Sequence, residues 1–266
     1  MLDLSRPKVM GILNINSDSF FEGSRVDTPE MAVERARKML EEGAAIIDVG
    51  AMSSRPGALL LDASVEWQML ETVILPLLNL EGILVSVDTV WSETAHKALE
   101  AGVHIINDIS ASSIDESMME TVASFPDVPY IMMHMKGTPE TMQSQTDYKN
   151  LMMDLMVYFA RKLRQASALG IRDVVIDPGF GFAKTKEQSF EILSKLRQLS
   201  IFDKAILAGL SRKSMLYKTL NVNQNEALNA TTAANTIALV NGARILRVHD
   251  VKQAVEAVKI FEMTYA

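Results

Sequence analysis

Cysteine is absent from this chain of 266 residues, so disulfide bonds, zinc–thiolate sites and thiol nucleophiles are excluded. An excess of basic residues is absent too: the formal net charge is −7, whereas domains that bind nucleic acid non-specifically are usually basic. No apolar run approaches the ~20 residues that a membrane-spanning helix needs. The start, MLDLSRPKVMGILNIN, lacks the basic stretch and long apolar run of a secretory signal peptide. We therefore expect a soluble, cytoplasmic protein that binds neither nucleic acid nor membranes.

A repeated unit is what the sequence has in quantity: a helix, a glycine, an apolar run and a polar residue. Hydrophobic residues make up 48% of the chain, as in a globular protein with a large core. The runs are rich in Ile and Val and do not alternate with polar residues, which is typical of parallel strands buried on both faces. Most of the glycines fit the left-handed position that ends a helix. They are Gly43, Gly82, Gly102, Gly170 and Gly242.

Three further apolar runs, at 8–15, 129–135 and 204–211, bring the number of predicted strands to eight, with amphipathic helices between them. Alternating strands and helices predict a parallel sheet, and eight such units at this length predict a (β/α)8 TIM barrel. We find no internal linker or charge block and expect one domain over 1–266. The alternative is an open doubly wound sheet, but no GxGxxG follows the first strand.

Polar side chains stand where nearly every predicted strand ends, which is the face on which such barrels carry their chemistry. Buried charges are costly unless they are paired, so this ring of acids, amides and bases indicates a polar ligand. The residues that we assign to the site are Asp88, Asn107, Asp177, Lys213, Arg247 and His249. For Asp48, Asp108 and Asp250 we favour a structural role, as partners of other members of this ring or as caps of the next helix.

The four histidines divide differently. His96 falls in a predicted helix and His104 just before a strand, so both are predicted to be structural, while His134 follows a strand and is left between the two roles. His249 and Ser211 could approach one another, but no GxSxG nucleophile elbow is present and we predict no catalytic triad. The segments 16–28 and 51–62 are longer than usual connections of this kind and are predicted to be lids over the site.

The segment VVIDPGFGFAKT at 174–185 admits three interpretations: a phosphate loop, a metal site around Asp177, or a pocket for a flat molecule. Phosphate is better suited to Lys213, Arg247 and His249 on the last two strands, although the latter two could instead pair with Asp48 or Asp250. Too few hard oxygens are available for a magnesium cage, so a metal would be held mainly by substrate phosphates.

A flat ring suits the acid in this segment better. A carboxylate accepts two parallel hydrogen bonds, which matches the donor edge of a 2-amino-pyrimidinone such as guanine or pterin. Asn107 and Lys213 would read the neighbouring ring atoms. Gly179 and Gly181 are predicted to let the backbone approach the ring closely, and Lys184 is predicted to be a solvated loop charge.

Seven motifs follow one another between about residues 8 and 250: KVMGILNI with DSF, SSRPG, SVDT, IIND, DPGFGFAKT, GLSRKS and RVHDV. In this order they resemble the motifs of the dihydropteroate synthases, a family of pterin-binding TIM barrels. The resemblance implies condensation of 6-hydroxymethyl-7,8-dihydropterin pyrophosphate with p-aminobenzoate, which gives 7,8-dihydropteroate and pyrophosphate in folate synthesis. It also implies Mg²⁺, a homodimer and inhibition by sulfonamides.

The resemblance assigns roles to residues of this chain. The pterin would be held by Asp88, Asn107, Met133, Asp177, Gly181, Gly209 and Lys213. The pyrophosphate would be met by Arg247, His249 and Asn14, the last through Mg²⁺. The p-aminobenzoate site would be closed by lid residues and lined from below by Phe182, Lys213 and Ser214; the lid residues are Asp18, Ser19, Phe20, Ser54, Arg55 and Pro56. The catalytic residues would be Asp88, Lys213, Arg247 and His249.

The departures from the family pattern fall in the lids. Asn16 and Ser17 stand where the family usually has Thr-Pro, and Ser54 stands where it usually has Thr. Two other functions share parts of this pattern. A methyltetrahydrofolate-dependent methyltransferase uses the same pterin-binding barrel but needs no pyrophosphate site, and a catalytically silent pterin-binding paralogue would keep the fold alone.

Overall fold

A computed structural model describes residues 2–15, 28–52 and 59–265, and within them the chain forms a closed barrel of eight parallel strands in sequence order. The strands are β1 (Lys8–Asn14), β2 (Ile46–Gly50), β3 (Leu84–Asp88), β4 (Ile105–Asp108), β5 (Tyr130–Met133), β6 (Val174–Asp177), β7 (Ala205–Ala208) and β8 (Ala243–Val248). The barrel closes because β8 pairs with β1 as well as with β7. The predicted (β/α)8 barrel is confirmed, and the open sheet is excluded.

Helices follow the strands and cover the outside of the barrel. They are α1 (Pro29–Glu41), α2 (Ala63–Leu78), α3 (Ser92–Glu100), α4 (Met118–Ala123), α5 (Leu151–Ala168), α6 (Lys186–Lys195), α7 (Ser214–Leu220), α8 (Leu228–Val240) and α9 (Val251–Tyr265). Short 3-10 segments lie at Met142–Ser144, Leu196–Phe202 and Gln224–Glu226. The five glycines of the repeated unit all have positive φ, between 75° and 100°, which confirms the left-handed conformation predicted for them.

Among the described residues, two of the three buried apolar clusters stabilise the barrel itself. The larger one lies between the strands and the helices and includes Val85, Leu70 and Phe159. The smaller one fills the lower part of the barrel interior, towards the amino ends of the strands. We call it the lower layer; it consists of Met10, Ile46, Ile105, Ile131, Val175, Leu207 and Ile245.

Two residues further along five of these strands, the side chain again points into the barrel, because alternate residues of a strand share a face. There the interior changes from apolar to mainly polar. We call this set, with Asp88 of β3, the upper layer; it consists of Asp48, Asp88, Asn107, Met133, Asp177 and Arg247. In the part of the chain that the structure describes, no helix is long and apolar enough to cross a membrane.

Candidate active site

The carboxyl ends of the strands bring the predicted site residues to one mouth of the barrel. Asp88 is in register with Asn107 on β4 and with Gly50 on β2, and Met133 is in register with Asp177. Asn14, in register with Gly50, is exposed at the rim. Parallel strands place their ends at one edge of the sheet, which is why residues up to 233 positions apart in sequence meet here, such as Asn14 and Arg247.

Arg247 is held in the centre of the upper layer by two carboxylates. Its Nε donates to Asp48 Oδ2 at 2.6 Å, and its Nη2 donates to Asp88 Oδ2 at 2.6 Å. Asp48 is fully buried, so this ion pair is shielded from solvent on one side. The pairing of Arg247 with Asp48, one of the two alternatives, is therefore found in the structure. The two carboxylates bind Nε and Nη2, so Nη1 is the guanidinium nitrogen that neither of them uses.

Asp48 was expected to have a structural role, and in the structure it pairs with two predicted site residues. Besides Arg247, its Oδ2 accepts from Asn107 Nδ2 at 3.0 Å, so one carboxylate holds two predicted site residues. Because a carboxylate can only accept, the Asn107 atom facing it must be the nitrogen, and the amide oxygen is left facing the pocket. The sequence signal for Asp48 is its position two residues after Ile46 on the same face of β2.

The charges of this cluster do not balance. Asp48 and Asp88 carry two carboxyl groups against the single cation of Arg247. Burial raises the pKa of Asp88, and the neighbouring Arg247 opposes that rise while Asp48 adds to it. The upper layer thus favours a ligand that brings positive charge or hydrogen-bond donors.

Asp177 links the 178–184 loop to the pocket, and each of its oxygens can still accept a hydrogen bond. Its Oδ1 accepts from the backbone N–H of Gly179 at 2.7 Å. An ideal Cβ at Gly209 would lie 4.0 Å from Asp177 Oδ2 and 3.9 Å from Lys213 Nζ, so both groups border the space that Gly209 leaves open. Burial raises the pKa of Asp177, while Lys213 acts in the opposite direction. Asp177 was predicted to accept hydrogen bonds from the donor edge of a flat ring. In the structure it is a buried acid beside a lysine, which suits that role.

Lys213 lies between Asp177 and the ring of Phe182. Its Nζ donates to the backbone carbonyl of Phe180 and lies 4.6 Å from the centre of the Phe182 ring. Burial lowers the pKa of this lysine to about 8, and Asp177 counteracts that effect. Ser214, the first residue of α7, is exposed beside it.

The glycines of the 178–184 loop have different roles. An ideal Cβ at Gly179 would lie 2.2 Å from the carbonyl oxygen of His134, so this glycine gives clearance to the protein's own backbone. The expectation that Gly179 makes room for a ring is therefore wrong. At Gly181 a Cβ would meet only Lys213 Cδ, at 3.8 Å, and its predicted position next to a substrate stays a prediction.

Lys184 is not the solvated charge that the sequence suggested. It is buried, and its Nζ lies 3.0 Å from His134 Nδ1, 3.2 Å from His134 O and 2.9 Å from Phe182 O. Burial lowers the pKa values of both Lys184 and His134. His134, which the sequence left open, is also buried and packs edge-on against Tyr158 with ring centroids 4.6 Å apart. A lysine in a glycine-rich loop gives no sequence signal of burial, since only the path of the chain turns it inwards.

His249 follows β8 and is exposed at the rim, where Ser211 holds it. The Ser211 hydroxyl lies 3.0 Å from His249 Nδ1 and accepts from the His249 backbone N–H at 3.1 Å. Arg212 and Asp250 flank this pair and form a bidentate ion pair with N–O distances of 2.9 and 2.6 Å. The structural role predicted for Asp250 is confirmed, and the approach of Ser211 to His249 serves to orient the imidazole.

Other residues were assigned to structural roles, and the structure confirms them. Asp108 is fully buried and accepts at 2.7 Å from Tyr130 Oη and from the backbone N–H groups of Ser110 and Ser112. His104 Nδ1 accepts from the Val85 backbone N–H at 3.1 Å. His96 packs edge-on against Phe125 on the surface.

The lid residues Asp18, Ser19, Phe20, Ser54, Arg55 and Pro56 lie outside the described residues, as does Arg25. Over 2–15, 28–52 and 59–265, no group of three or more His, Asp or Glu side chains could hold a metal ion. Asn14 offers one amide oxygen at the rim, which suits an ion that keeps its waters and binds mainly to a phosphate.

Comparison with known proteins decides which family of pterin-binding barrels this chain belongs to. The family model described as "Pterin binding enzyme" matches residues 10–249. The dihydropteroate synthase of Escherichia coli K12 is 38% identical over 265 residues, which cover 99% of this chain and 93% of the relative. The chain belongs to the pterin-binding enzymes, as a dihydropteroate synthase.

Solved structures agree with this placement in the dihydropteroate synthases. The Yersinia pestis enzyme, in a complex with a sulfonamide drug, is 38% identical with a TM-score of 0.93 over 99% of this chain and 96% of that one. The Xanthomonas albilineans enzyme with 4-aminobenzoic acid is 33% identical with a TM-score of 0.92 over 100% and 95%. At these identities the likeness extends beyond the fold to the family.

Proposed function

We propose that this dihydropteroate synthase joins 6-hydroxymethyl-7,8-dihydropterin pyrophosphate to p-aminobenzoate, releasing pyrophosphate and 7,8-dihydropteroate. The observation that carries this proposal is the pair of Asp177 and Lys213 at the opening at Gly209, with Asn107 in the same upper layer. An acid, an amide oxygen and a cation at one rim match the donor and acceptor pattern of a pterin edge.

The ring is recognised by groups whose orientation is already fixed. Asp177 receives the two parallel donors of the 2-amino-pyrimidinone edge, and Lys213 donates to the ring carbonyl. Asn107 presents its amide oxygen, since its nitrogen is committed to Asp48 at 3.0 Å. Fixed donors and acceptors cost no reorganisation when the ligand binds, which favours selection of this ring over isosteres with another pattern.

Loss of pyrophosphate leaves an electron-deficient methylene on the pterin, and the protein stabilises two opposite charges. The carboxyl groups of Asp48, Asp88 and Asp177 surround the ring and stabilise the developing cation. An aromatic amine is essentially unprotonated at neutral pH, so p-aminobenzoate captures this carbon without a strong general base. The carbon–oxygen bond breaks, the carbon–nitrogen bond forms, and the amine proton leaves to solvent.

The departing anion faces the rim residues. Arg247, held by Asp48 and Asp88, offers Nη1, and His249, oriented through Nδ1 by Ser211, lies at the same rim. Asn14 offers the amide oxygen for Mg²⁺, which when bound supplies charge neutralisation to the phosphates. Titration of Mg²⁺ into the enzyme with inorganic pyrophosphate tests this site: Asn14→Ala weakens the binding of the metal–pyrophosphate pair without changing pterin affinity.

The second substrate binds on the other side of Lys213. Phe182 is half-buried beside this lysine, and Ser214 is exposed at the start of α7. We expect the lid segments 16–28 and 51–62 to close this site. Ser54 would supply the hydroxyl group that a threonine supplies in most members of the family. The bound 4-aminobenzoic acid of the Xanthomonas albilineans enzyme, 33% identical to this chain, supports a site of this kind.

Two further parts of the proposal concern the whole protein. We expect a homodimer, for which the exposed Met153 and Val157 on one face of α5 offer an apolar surface. A cytoplasmic location remains a prediction of the sequence, and cell fractionation tests it. The mass of the purified protein in solution, by light scattering, decides the oligomeric state.

Purified enzyme supplied with both substrates and Mg²⁺ gives the decisive experiment. We expect stoichiometric pyrophosphate and 7,8-dihydropteroate, detected by a coupled phosphate assay and mass spectrometry. Pterin binding without product would instead favour a silent paralogue. Methyl transfer from a methylated folate would favour a methyltransferase.

A further inference from the structure

Lys184 is placed where a lysine is rarely found: it is buried, with 3% of its surface exposed. An ammonium has three N–H donors, and three acceptors surround this one, namely Phe182 O at 2.9 Å, His134 Nδ1 at 3.0 Å and His134 O at 3.2 Å. With Lys184 charged, His134 Nδ1 must accept, so the imidazole carries its proton on Nε2. A buried amino group whose nitrogen meets three acceptors is a specific tie between the end of β5 and the 178–184 loop.

Different groups hold the two halves of the loop, and one backbone hydrogen bond joins the halves, from the Phe182 N–H to Gly179 O at 3.1 Å. The first half is fixed from the pterin side, since Asp177 accepts from the Gly179 N–H at 2.7 Å and Lys213 donates to Phe180 O. The second half is fixed from behind, by Lys184 at Phe182 O and by Tyr148 Oη, which donates to Ala183 O at 2.9 Å. A change in the second half therefore acts first on Phe182, and reaches the contacts of the first half only through the Phe182–Gly179 hydrogen bond.

Phe182 depends on this second half for its position. Its ring packs against an apolar cluster that includes Met133, Met142 and Ala183, and its other side faces Lys213 at 4.6 Å. Ala183 has positive φ, 50°, so the chain turns sharply between Phe182 and Lys184. The backbone carbonyl that Lys184 holds is the one next to this turn, and it sets the direction of the ring.

We propose that Lys184 is a positioning residue for the second substrate: through His134 and the Phe182 carbonyl it fixes the aromatic wall against which the aryl amine binds. This role rests on the proposed function, because that function places p-aminobenzoate beside Phe182. Lys184 does not touch either substrate. Its effect is directed at one substrate, which separates it from a general contribution to stability.

The test uses Lys184→Met, which keeps the length of the side chain and removes its charge and its donors. We expect the KM for p-aminobenzoate to rise about tenfold, the scale of a lost hydrogen bond to a charged group, while the dissociation constant of the pterin pyrophosphate changes less than about threefold. The matched control is Lys186→Met, two residues on, whose side chain is 45% exposed and which should alter neither constant. Calorimetry gives the pterin constant and initial rates of pyrophosphate release give the KM.

Tyr148→Phe provides a second variant that keeps every charge. It removes only the hydroxyl at Ala183 O and should raise the same KM by a smaller factor, about threefold, with pterin affinity unchanged. If Lys184→Met does not fold, this variant decides. An unchanged KM for p-aminobenzoate, or an equal loss for both substrates, overturns the role of Lys184. A wild-type enzyme that releases no pyrophosphate overturns the proposed function instead.

Discussion

The apolar lower layer and the polar upper layer of the barrel interior lie a step of two residues apart along the strands. On β4 the step runs from Ile105 to Asn107, and on β6 it runs from Val175 to Asp177. The lower layer is closed and close-packed, and its seven side chains are all buried hydrophobic ones. The upper layer holds buried acids that are costly to desolvate, and each of them is stabilised by a cation or a hydrogen-bond donor.

The comparison indicates that one set of strands separates stability from chemistry by a step of two residues. The lower layer contributes transfer free energy and carries no polar atom to satisfy. The upper layer keeps acceptors oriented towards an opening at Gly50 and Gly209, where a side chain would meet Asp88 or Lys213. Substitutions should therefore act on different measurements in the two layers.

The largest effect that would test this division is expected from Lys213→Ala. Loss of the cation beside Asp177 and of the tie to Phe180 O should lower turnover about a thousandfold, as removal of an oriented electrostatic group does in other active sites. The free energy of unfolding should change little, because the lysine is not part of the lower layer. Normal pyrophosphate release by a folded variant would contradict the role given to Lys213.

Asp177→Asn is expected to be the next largest change. Replacing the carboxylate, which accepts two donors, by an amide that presents one acceptor should weaken pterin binding by about 4 kcal/mol, the scale of two charge-assisted hydrogen bonds. The control is Asp173→Asn, which lies directly before the amino end of β6, and this variant should bind pterin normally. Calorimetry measures both, and near-wild-type affinity of Asp177→Asn would refute the reading of the donor edge.

Ile105→Ala tests the lower layer. Its buried side chain should leave a cavity and cost about 3 kcal/mol of unfolding free energy, measured in urea, with pterin affinity within about twofold of wild type. Leu220→Ala, at a side chain that is 53% exposed, should change the free energy of unfolding by less than ~0.5 kcal/mol. A loss of affinity with unchanged stability would show that the two layers are not separable.

The smallest expected effect is a pH dependence of stability from the upper layer. Burial raises the folded-state pKa of Asp177 above 3.8, the ordinary value of an aspartate, although Lys213 and the Gly179 N–H partly cancel the rise. Between these two pKa values the native state binds more protons than the unfolded one, so this acid's contribution to the free energy of unfolding falls as pH increases through that window.

Urea unfolding of the wild type and of Asp177→Asn over a pH series measures this contribution. The difference in unfolding free energy, wild type minus variant, should decrease as pH rises above 3.8 and level off above the folded-state pKa. The variant has no carboxyl group at this position, so it serves as the reference for the wild type. A difference that increases with pH would mean that the carboxylate, and not the neutral acid, is the form that the fold stabilises.

Several features of the site were readable in the sequence. Apolar runs ending in Asp88, Asn107 and Asp177 identified the strand ends, because parallel strands of a barrel bury both faces and carry chemistry at one end. The same logic missed Asp48. Its position two residues after Ile46 puts it in the upper layer, but only the reach of Arg247 across 199 positions reveals what it holds.

Lys184 shows the limit most clearly. A charged residue in a loop after two glycines is ordinarily solvated, and its sequence neighbours, Thr185 and Lys186, are exposed. The Ala183 turn directs its side chain under the loop instead, towards His134, 50 positions earlier in the chain. Local pattern does not encode such a contact, since it depends on how β5 and β6 pair.

The sequence by itself determined the barrel, its eight strands, the face that carries the chemistry and the family, because strand burial, helix-ending glycines and motif order are all local signals. The tertiary structure alone decided which polar groups hold one another: Arg247 between Asp48 and Asp88, His249 on Ser211, and Lys184 on His134. Closure of the barrel brings together residues from distant strands, and the partner of a buried charge follows from that geometry.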